Sequence, residues 1–305
     1  MKKITKIFIA IAIGSIISFM GLSSRASATS GSVFSVSPMN QRINLTPGET
    51  YHGTFKVTNP AKSTVTLNYV LEVTPMTVDD ENYTLSFDNN GDYNQIVNWV
   101  VLDKTYGTIE PNQTEEVQFS IVVPENTPAG GQYCAIAVTS IPSEATEEGV
   151  NLQDRIRISH LLYTEVAGET VRKGNIDEAN VASFLLSGNI TGTSRISNTG
   201  NVHSDAHYTL QIFPLFSGEE IYTNEEDPEK AIIFPSTTKF SSLEWKETPS
   251  VGIFHVIYKV NFEGVESKVD KMVIVCPLWL LFLIILAIFL IIFKIWSSKK
   301  NREKK

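Results

Sequence analysis

Few residues in this chain have the types and spacing for chemistry. His203-Ser204-Asp205-Ala206-His207 sets two imidazoles and a carboxylate at alternate positions. On a strand, alternate side chains leave the same face. His203, Asp205 and His207 could then bridge a zinc or copper ion. The competing reading is a solvated strand face. Asp88, Asn90 and Asp92 match the first three ligand positions of a calcium loop. However, the sixth position is Tyr93 rather than Gly and the twelfth is Trp99 rather than Glu, so an Asn-Gly hairpin turn is the better reading. Arg155 and Arg157 alternate on an expected strand, 155–166, where they could grip an acidic partner or protect a sheet edge. His52, His160 and His255 stand alone in strand patterns and are read as ordinary sandwich residues. Acids abound for a glycosidase pair, but they fall in loops and turns. No G-x-S-x-G elbow, H-E-x-x-H helix, phosphate-cradling loop or Cys/His metal cluster is present. The expectation is therefore no catalytic residues, no cofactor and no enzyme activity.

The elements around these residues begin with a membrane segment. Met272 to Phe293 is apolar throughout and carries no charge. Its 22 residues are about long enough, as a helix, to cross a hydrocarbon core. Trp279 and Trp296 stand near its ends, where indoles favour the interface. Lys294, Lys299, Lys300, Arg302, Lys304 and Lys305 follow. Under the positive-inside rule they keep the C-terminus cytoplasmic. At the other end, Lys2, Lys3 and Lys6 precede an apolar run from Ile7 to Leu22 and then Ala26-Ser27-Ala28. This reads as a signal peptide cleaved after Ala28. The expected organisation is signal peptide 1–28, sandwich domain 29–170, second sandwich domain 171–275, transmembrane helix 276–296 and basic cytoplasmic tail 297–305. The expected location is the cell membrane, with a single pass and the bulk of the chain outside.

Between the two ends the pattern is that of strands. Tyr51, Gly53, Phe55 and Val57 alternate with polar residues, as do Val117, Phe119, Ile121 and Val123. Thr46-Pro47-Gly48-Glu49 and Thr58-Asn59-Pro60 are turns. Tyr133, Ala135 and Ala137 share one face after the Gly130-Gly131 pair. Residues 142–151 read as an acidic loop and Gly168 to Asn175 as a linker. The plan then repeats: Ile196-Ser197-Asn198-Thr199 echoes Val57-Thr58-Asn59-Pro60, and Phe254 to Val260 echoes the strand after Pro128. Turns at such spacing predict an all-β fold, two tandem Ig-like β-sandwich domains, followed by one C-terminal transmembrane α-helix.

Charge narrows the partners. Of 25 basic residues, four precede residue 29 and six follow Phe293, while of 33 acidic residues only Glu303 lies outside that span. The intervening stretch thus carries 15 basic and 32 acidic residues. Such a surface repels polyanions, so no nucleic-acid partner is expected. Cys134 and Cys276 fall in different modules, which argues against a disulfide between them. Cys276, at the membrane boundary, could be acylated.

Phe34-x-Val36-x-Pro38-Met39-Asn40-Gln41, the Pro47-Gly48 turn, Val57-x-Asn59 and Pro124 with Gly130-Gly131-Gln132-Tyr133 together resemble the first domain of the WxL-interacting surface proteins of Gram-positive bacteria. That family has the same order of parts. Its usual aromatic segment after Asn-Gln is replaced here by Arg42-Ile43-Asn44-Leu45. The resemblance implies a non-enzymatic surface protein that holds cell-wall-associated proteins, and peptidoglycan, near the membrane. It carries over no binding residue. Two rivals stand beside it: a chaperone-like factor that caps exported subunits, and a wall-active or metal-dependent enzyme built on the acids or on His203 and His207.

Overall fold

The computed structural model describes residues 34–79, 82–88, 91–141, 155–216 and 218–302, with side chains to residue 296. The signal segment with Ala28, Asn90 of the calcium-like run, the acidic stretch 142–151, and Lys304 and Lys305 lie outside the described residues.

The chain folds as two tandem Ig-like β-sandwiches followed by one apolar helix. The first sandwich contains β1 (Ser35–Ser37), β2 (Asn40–Leu45), β3 (Thr50–Asn59), β4 (Leu67–Pro75), the ribbon β5 (Thr77–Asp79) and β6 (Thr84–Ser86), β7 (Val100–Leu102), β8 (Tyr106–Ile109), β9 (Gln113–Val122), β10 (Gly130–Ile141) and β11 (Arg157–Val166). One sheet runs β1-β3-β9-β7 and the facing sheet β2-β11-β10-β4-β8. The period-2 pattern explains the layers. In β3, Gly53, Phe55, Val57 and Asn59 turn inward, opposite Val117, Phe119 and Ile121 of β9. β10 departs from the pattern, because every residue from Gly130 to Val138 is buried. One of its faces (Cys134, Ile136, Val138) is sandwich core, while Tyr133 on the other joins a separate cluster with the second sandwich.

The second sandwich contains β12 (Gly174–Val181), β13 (Phe184–Leu185), β14 (Ile190–Asn198), β15 (Ser204–Pro214), β16 (Tyr222–Thr223), β17 (Glu229–Ile233), β18 (Thr238–Trp245), β19 (Gly252–Phe262) and β20 (Val265–Val275). Its sheets run β12-β14-β18 and β13-β20-β19-β15, with β16 and β17 both alongside β15. β14 and β15 alternate almost perfectly between buried and half-buried positions.

The helix α1 spans Leu278–Arg302, later than the expected Met272 and two residues after the expected 276. Met272 to Val275 instead complete β20, paired with β19. Pro277 sets the boundary. It fixes φ and lacks an N–H, which suits a helix start, and its carbonyl accepts from the amides of Leu280 and Leu281 at 3.0 and 3.1 Å. The helix also runs on into the basic segment assigned to the tail. Leu278–Trp296 is the one stretch among the described residues long and apolar enough to cross a membrane, with mean hydropathy 3.1 and none of it buried. Cys276 lies before the helix rather than in it; both it and Cys134 are buried free thiols.

Candidate interaction surface

Of the candidate metal group His203, Asp205 and His207, the first two bond across the joint between the sandwiches. β15 begins at Ser204, so His203 precedes the strand. Its backbone amide donates to the Tyr133 hydroxyl at 2.9 Å, and its Nδ1 lies 3.3 Å from the same oxygen. The Asp205 carboxylate accepts both arms of the Arg42 guanidinium, at 2.8 and 2.6 Å. His207 points out of the sheet farther along the strand. The shallow cleft of about 200 Å³ beside His203 is lined by Arg42, Tyr163, Glu165, Arg172 and Asp205. Arg172 donates to Glu165 at 2.5 Å and to the His203 carbonyl at 3.1 Å. Two guanidiniums in the cleft oppose a divalent cation. Among the described residues no group of three His, Cys, Asp or Glu could hold a metal ion.

Electrostatics follow the same geometry. Burial, reinforced by Arg42 and Arg172, holds the His203 imidazole down to a pKa of about 4. Burial pulls the Asp205 carboxyl upward, but the Arg42 hydrogen bonds outweigh it and leave the pKa below its ordinary value. Burial raises the Tyr133 phenol far above the physiological range. All three groups are held in one protonation state near neutral pH.

The rest of the joint is aromatic. Met76, Tyr133, Tyr163 and Phe234 form a buried cluster of their own. Phe234 meets Tyr133 edge-on at 4.7 Å, a favoured aromatic geometry. The Tyr83 hydroxyl accepts from the Phe234 amide at 3.0 Å and bonds Thr237, and the Lys239 ammonium sits 4.0 Å above its ring.

The expected linker is not a free spacer. Asn201 staples it: the side-chain oxygen accepts from the Val171 amide at 2.7 Å, the backbone amide donates to the Val171 carbonyl, and the Asn201 carbonyl accepts from Gly131 of the first sandwich at 2.8 Å. Gly130 and Gly131 make this approach possible. A Cβ on Gly130 (φ +139°) would come 2.9 Å from the Asn201 carbonyl oxygen, and one on Gly131 would strike the Tyr133 hydroxyl. Sequence reasoning missed Asn201. The signal was present in the Gly-Gly pair beside an unbroken buried strand.

Other candidates also take structural parts. The His160 imidazole contacts the Pro38 carbonyl at 2.7 Å and Gln41 at 3.1 Å, and stacks on Phe55 at 4.8 Å. His52 meets Ser120 at 2.9 Å and His255 meets Asp270 at 2.5 Å. Arg155 lies outside β11, which starts at Arg157, and Arg157 sits 3.7 Å from Glu72. β11 is not a free edge where β2 covers it, from Leu161 to Val166. Asp88 and Asp92 are exposed. The loop around them is held by Asn94, whose amide nitrogen donates to the Met76 and Tyr133 carbonyls at 2.9 and 2.6 Å.

The first sandwich presents an open stretch at β7 and β8. β7 and β8 are consecutive, lie at the same side of the two sheets, and each has a partner on one flank only. Neither contains a charged residue. Val101 is 57% exposed and Tyr106 is 73% exposed. Beside β7 runs a groove of about 450 Å³ lined by His52, Thr54, Val101, Asp103, Gln118 and Ser120. By contrast, the edge strand β12 carries Asp177 and Glu178, and the flank of β20 carries Glu266, Lys268, Asp270 and Lys271. Charges of this kind blunt an edge.

No protein-family model and no curated protein matches the chain. Solved structures match over most of the chain at low identity. The Salmonella enterica SafA pilin in complex with the SafB chaperone is 12% identical, with 81% of this chain and 98% of that chain covered and a TM-score of 0.40. The class 5 fimbriae chaperone CfaA is 14% identical over 81% and 100%, with a TM-score of 0.39. The E. coli chaperone DraB is 16% identical over 79% and 96%, with a TM-score of 0.38.

Proposed function

We propose that this chain is a non-enzymatic, membrane-anchored binding protein of the bacterial cell surface. It holds cell-wall-associated proteins by adding one of their extended segments to one of the two adjacent sheet edges, Val100–Leu102 or Tyr106–Ile109. The observation that carries this reading is that pair of edges: two consecutive uncharged strands, each open on one flank, with Val101 and Tyr106 presented to solvent. Strand addition takes affinity from main-chain hydrogen bonds and specificity from alternate side chains. The stapled joint supports the reading, since it leaves the edge at a set position relative to α1. The helix anchors the chain, with the sandwiches outside and the basic end in the cytoplasm. The resemblance to the WxL-interacting proteins supports a wall-associated protein or peptidoglycan as the partner.

The test is a pull-down from cell-wall extract with the full chain in detergent, beside the double variant Val101→Lys/Tyr106→Lys. Both positions are exposed, so the fold should tolerate the change. A stable stoichiometric partner that is lost with the double variant is the expected result. Equal retention by both proteins, or capture of nothing, overturns the reading.

Chaperone-like capping of exported subunits is the second reading, and the same edge serves it. Complex lifetime decides between them: holding predicts a stable complex, capping one that exchanges.

A further inference from the structure

The two ends of the second sandwich differ in chemistry. The end that carries His203 and the Glu263-Gly264 turn faces the first sandwich and mixes charged and polar groups with the buried Phe234. The opposite end gathers three segments: 182–189, the turn at Pro214–Phe216, and 248–253. None of the three carries a charged residue. They expose Phe184, Leu186, Leu215, Phe216 and Val251, with Phe216 at 91%. The nearest charges flank the segments rather than interrupt them: Glu219, Glu220, Lys246 and Glu247, and Glu244, whose carboxylate accepts from Asn189 at 2.7 Å. Isolated exposed apolar residues need no explanation, whereas an apolar rim across one end of a domain marks a contact surface.

The connection to α1 sets where that rim lies. β20 ends at Val275 and α1 begins at Leu278, so Cys276 and Pro277 are the whole connector. Two residues span at most about 7 Å. The connector is also tied down, because the Cys276 amide donates to the Leu185 carbonyl at 2.9 Å. Leu215, Phe216, Val251, Phe254 and Ile274 wall a groove of about 460 Å³ that runs onto Leu280 in the first turn of the helix. The apolar surface of the rim is thus continuous with that of the helix.

We propose that this end of the second sandwich seats in the headgroup layer of a lipid bilayer, with Phe216, Leu215, Val251 and Phe184 as the inserted side chains. The seat rests on the reading of α1 as a membrane anchor. Aromatic and aliphatic side chains on an uncharged surface favour this depth. The sandwiches then stand on the membrane rather than swinging from it, and the β7–β8 edge is held away from the lipid.

The test uses the full chain, with Cys134→Ala and Cys276→Ala, reconstituted in phosphatidylcholine vesicles. An environment-sensitive fluorophore is placed at Phe216→Cys, at Val251→Cys or, as the distant control, at Tyr106→Cys. Shallow nitroxide lipids should quench the labels at 216 and 251 severalfold more than the label at 106, with aqueous iodide giving the reverse order. Flotation after alkaline washing is read on the same samples. Chain that floats while all three labels are equally open to iodide overturns the seat and leaves the anchor intact. Chain that fails to float overturns the anchor reading, and the seat with it.

Discussion

The two sandwiches solve the same packing problems with the same residues and differ where they meet other matter. In the first, buried Asn59 donates to the carbonyls of Val65 and Ile109 at 3.0 and 2.9 Å. In the second, buried Asn198 donates to those of Val202 and Ile233 at 2.8 and 2.9 Å. Each Asn closes a strand end by satisfying two carbonyls from separate segments. Tyr69 lies against Gly107 and bonds Glu115 at 2.7 Å, while Tyr258 lies against Gly192 and bonds Ser194 at 3.1 Å. The interiors are therefore equivalent. The outer surfaces are not. The first sandwich leaves an uncharged edge open, and the second carries charges on β12 and on the flank of β20 and turns an uncharged apolar end toward α1. The interiors answer to folding, and the surfaces to separate contacts.

The equivalence is tested most sharply at the twin asparagines. Asn59→Ala removes the bonds to the Val65 and Ile109 carbonyls, and Asn198→Ala removes those to the Val202 and Ile233 carbonyls together with the one its Oδ1 accepts from the Gly200 amide. Each should cost about 2–4 kcal/mol, read as a lower urea midpoint for the sandwich concerned. A cost below about 0.5 kcal/mol for either one, within the range of ordinary surface substitutions, would show that the two are not counterparts.

The joint should add a pH dependence of its own. The folded chain holds the His203 pKa at about 4, below the ordinary value near 6.5. The unfolded state therefore binds the extra proton first as pH falls. Stability is full above about pH 6.5 and declines through about pH 4, by on the order of 2–3 kcal/mol. Burial shifts His160 in the same direction. Urea titrations across this range, with His203→Gln beside the parent chain, check the slope. The variant should be flatter, and an identical slope would remove His203 from the explanation.

Smaller effects sharpen the glycine–tyrosine pairs. A Cβ on Gly107 or Gly192 would sit 2.4 Å from the facing ring. Gly107→Ala and Gly192→Ala should each cost about 1–3 kcal/mol by overpacking, and thermal unfolding compares them directly. The least costly change is at the joint's outer pair. Arg42 is half-exposed opposite Asp205, and exposed pairs contribute about 1 kcal/mol or less. A double-mutant cycle of Arg42→Ala with Asp205→Asn should return a coupling in that range. A larger value would make this pair, rather than the aromatic cluster, the main tie between the sandwiches.

Much of this molecule is legible in its residue order. Alternation at Phe55 and Val57, or at Val256 and Tyr258, needs only the period of an extended chain to predict strands with an inner face. The echo of Asn59 in Asn198 pointed to a repeated plan, and the run to Trp296 pointed to an apolar helix. These features are local, because period, turn chemistry and hydrophobicity act within a few residues. The roles of His203, Asp205, Asn201 and Tyr133 depend on partners far away: 163 residues separate Arg42 from Asp205, and 70 separate Tyr133 from His203. A spacing that looks like a metal site and one that forms a domain joint are identical in sequence. Only the fold, by bringing two guanidiniums and a buried phenol to those positions, decides between them. The start of α1 was settled in the same way. Met272 to Val275 are as apolar as the helix that follows, but pairing with β19 gives their backbone groups hydrogen-bond partners in the sheet, and Pro277 starts the helix after them.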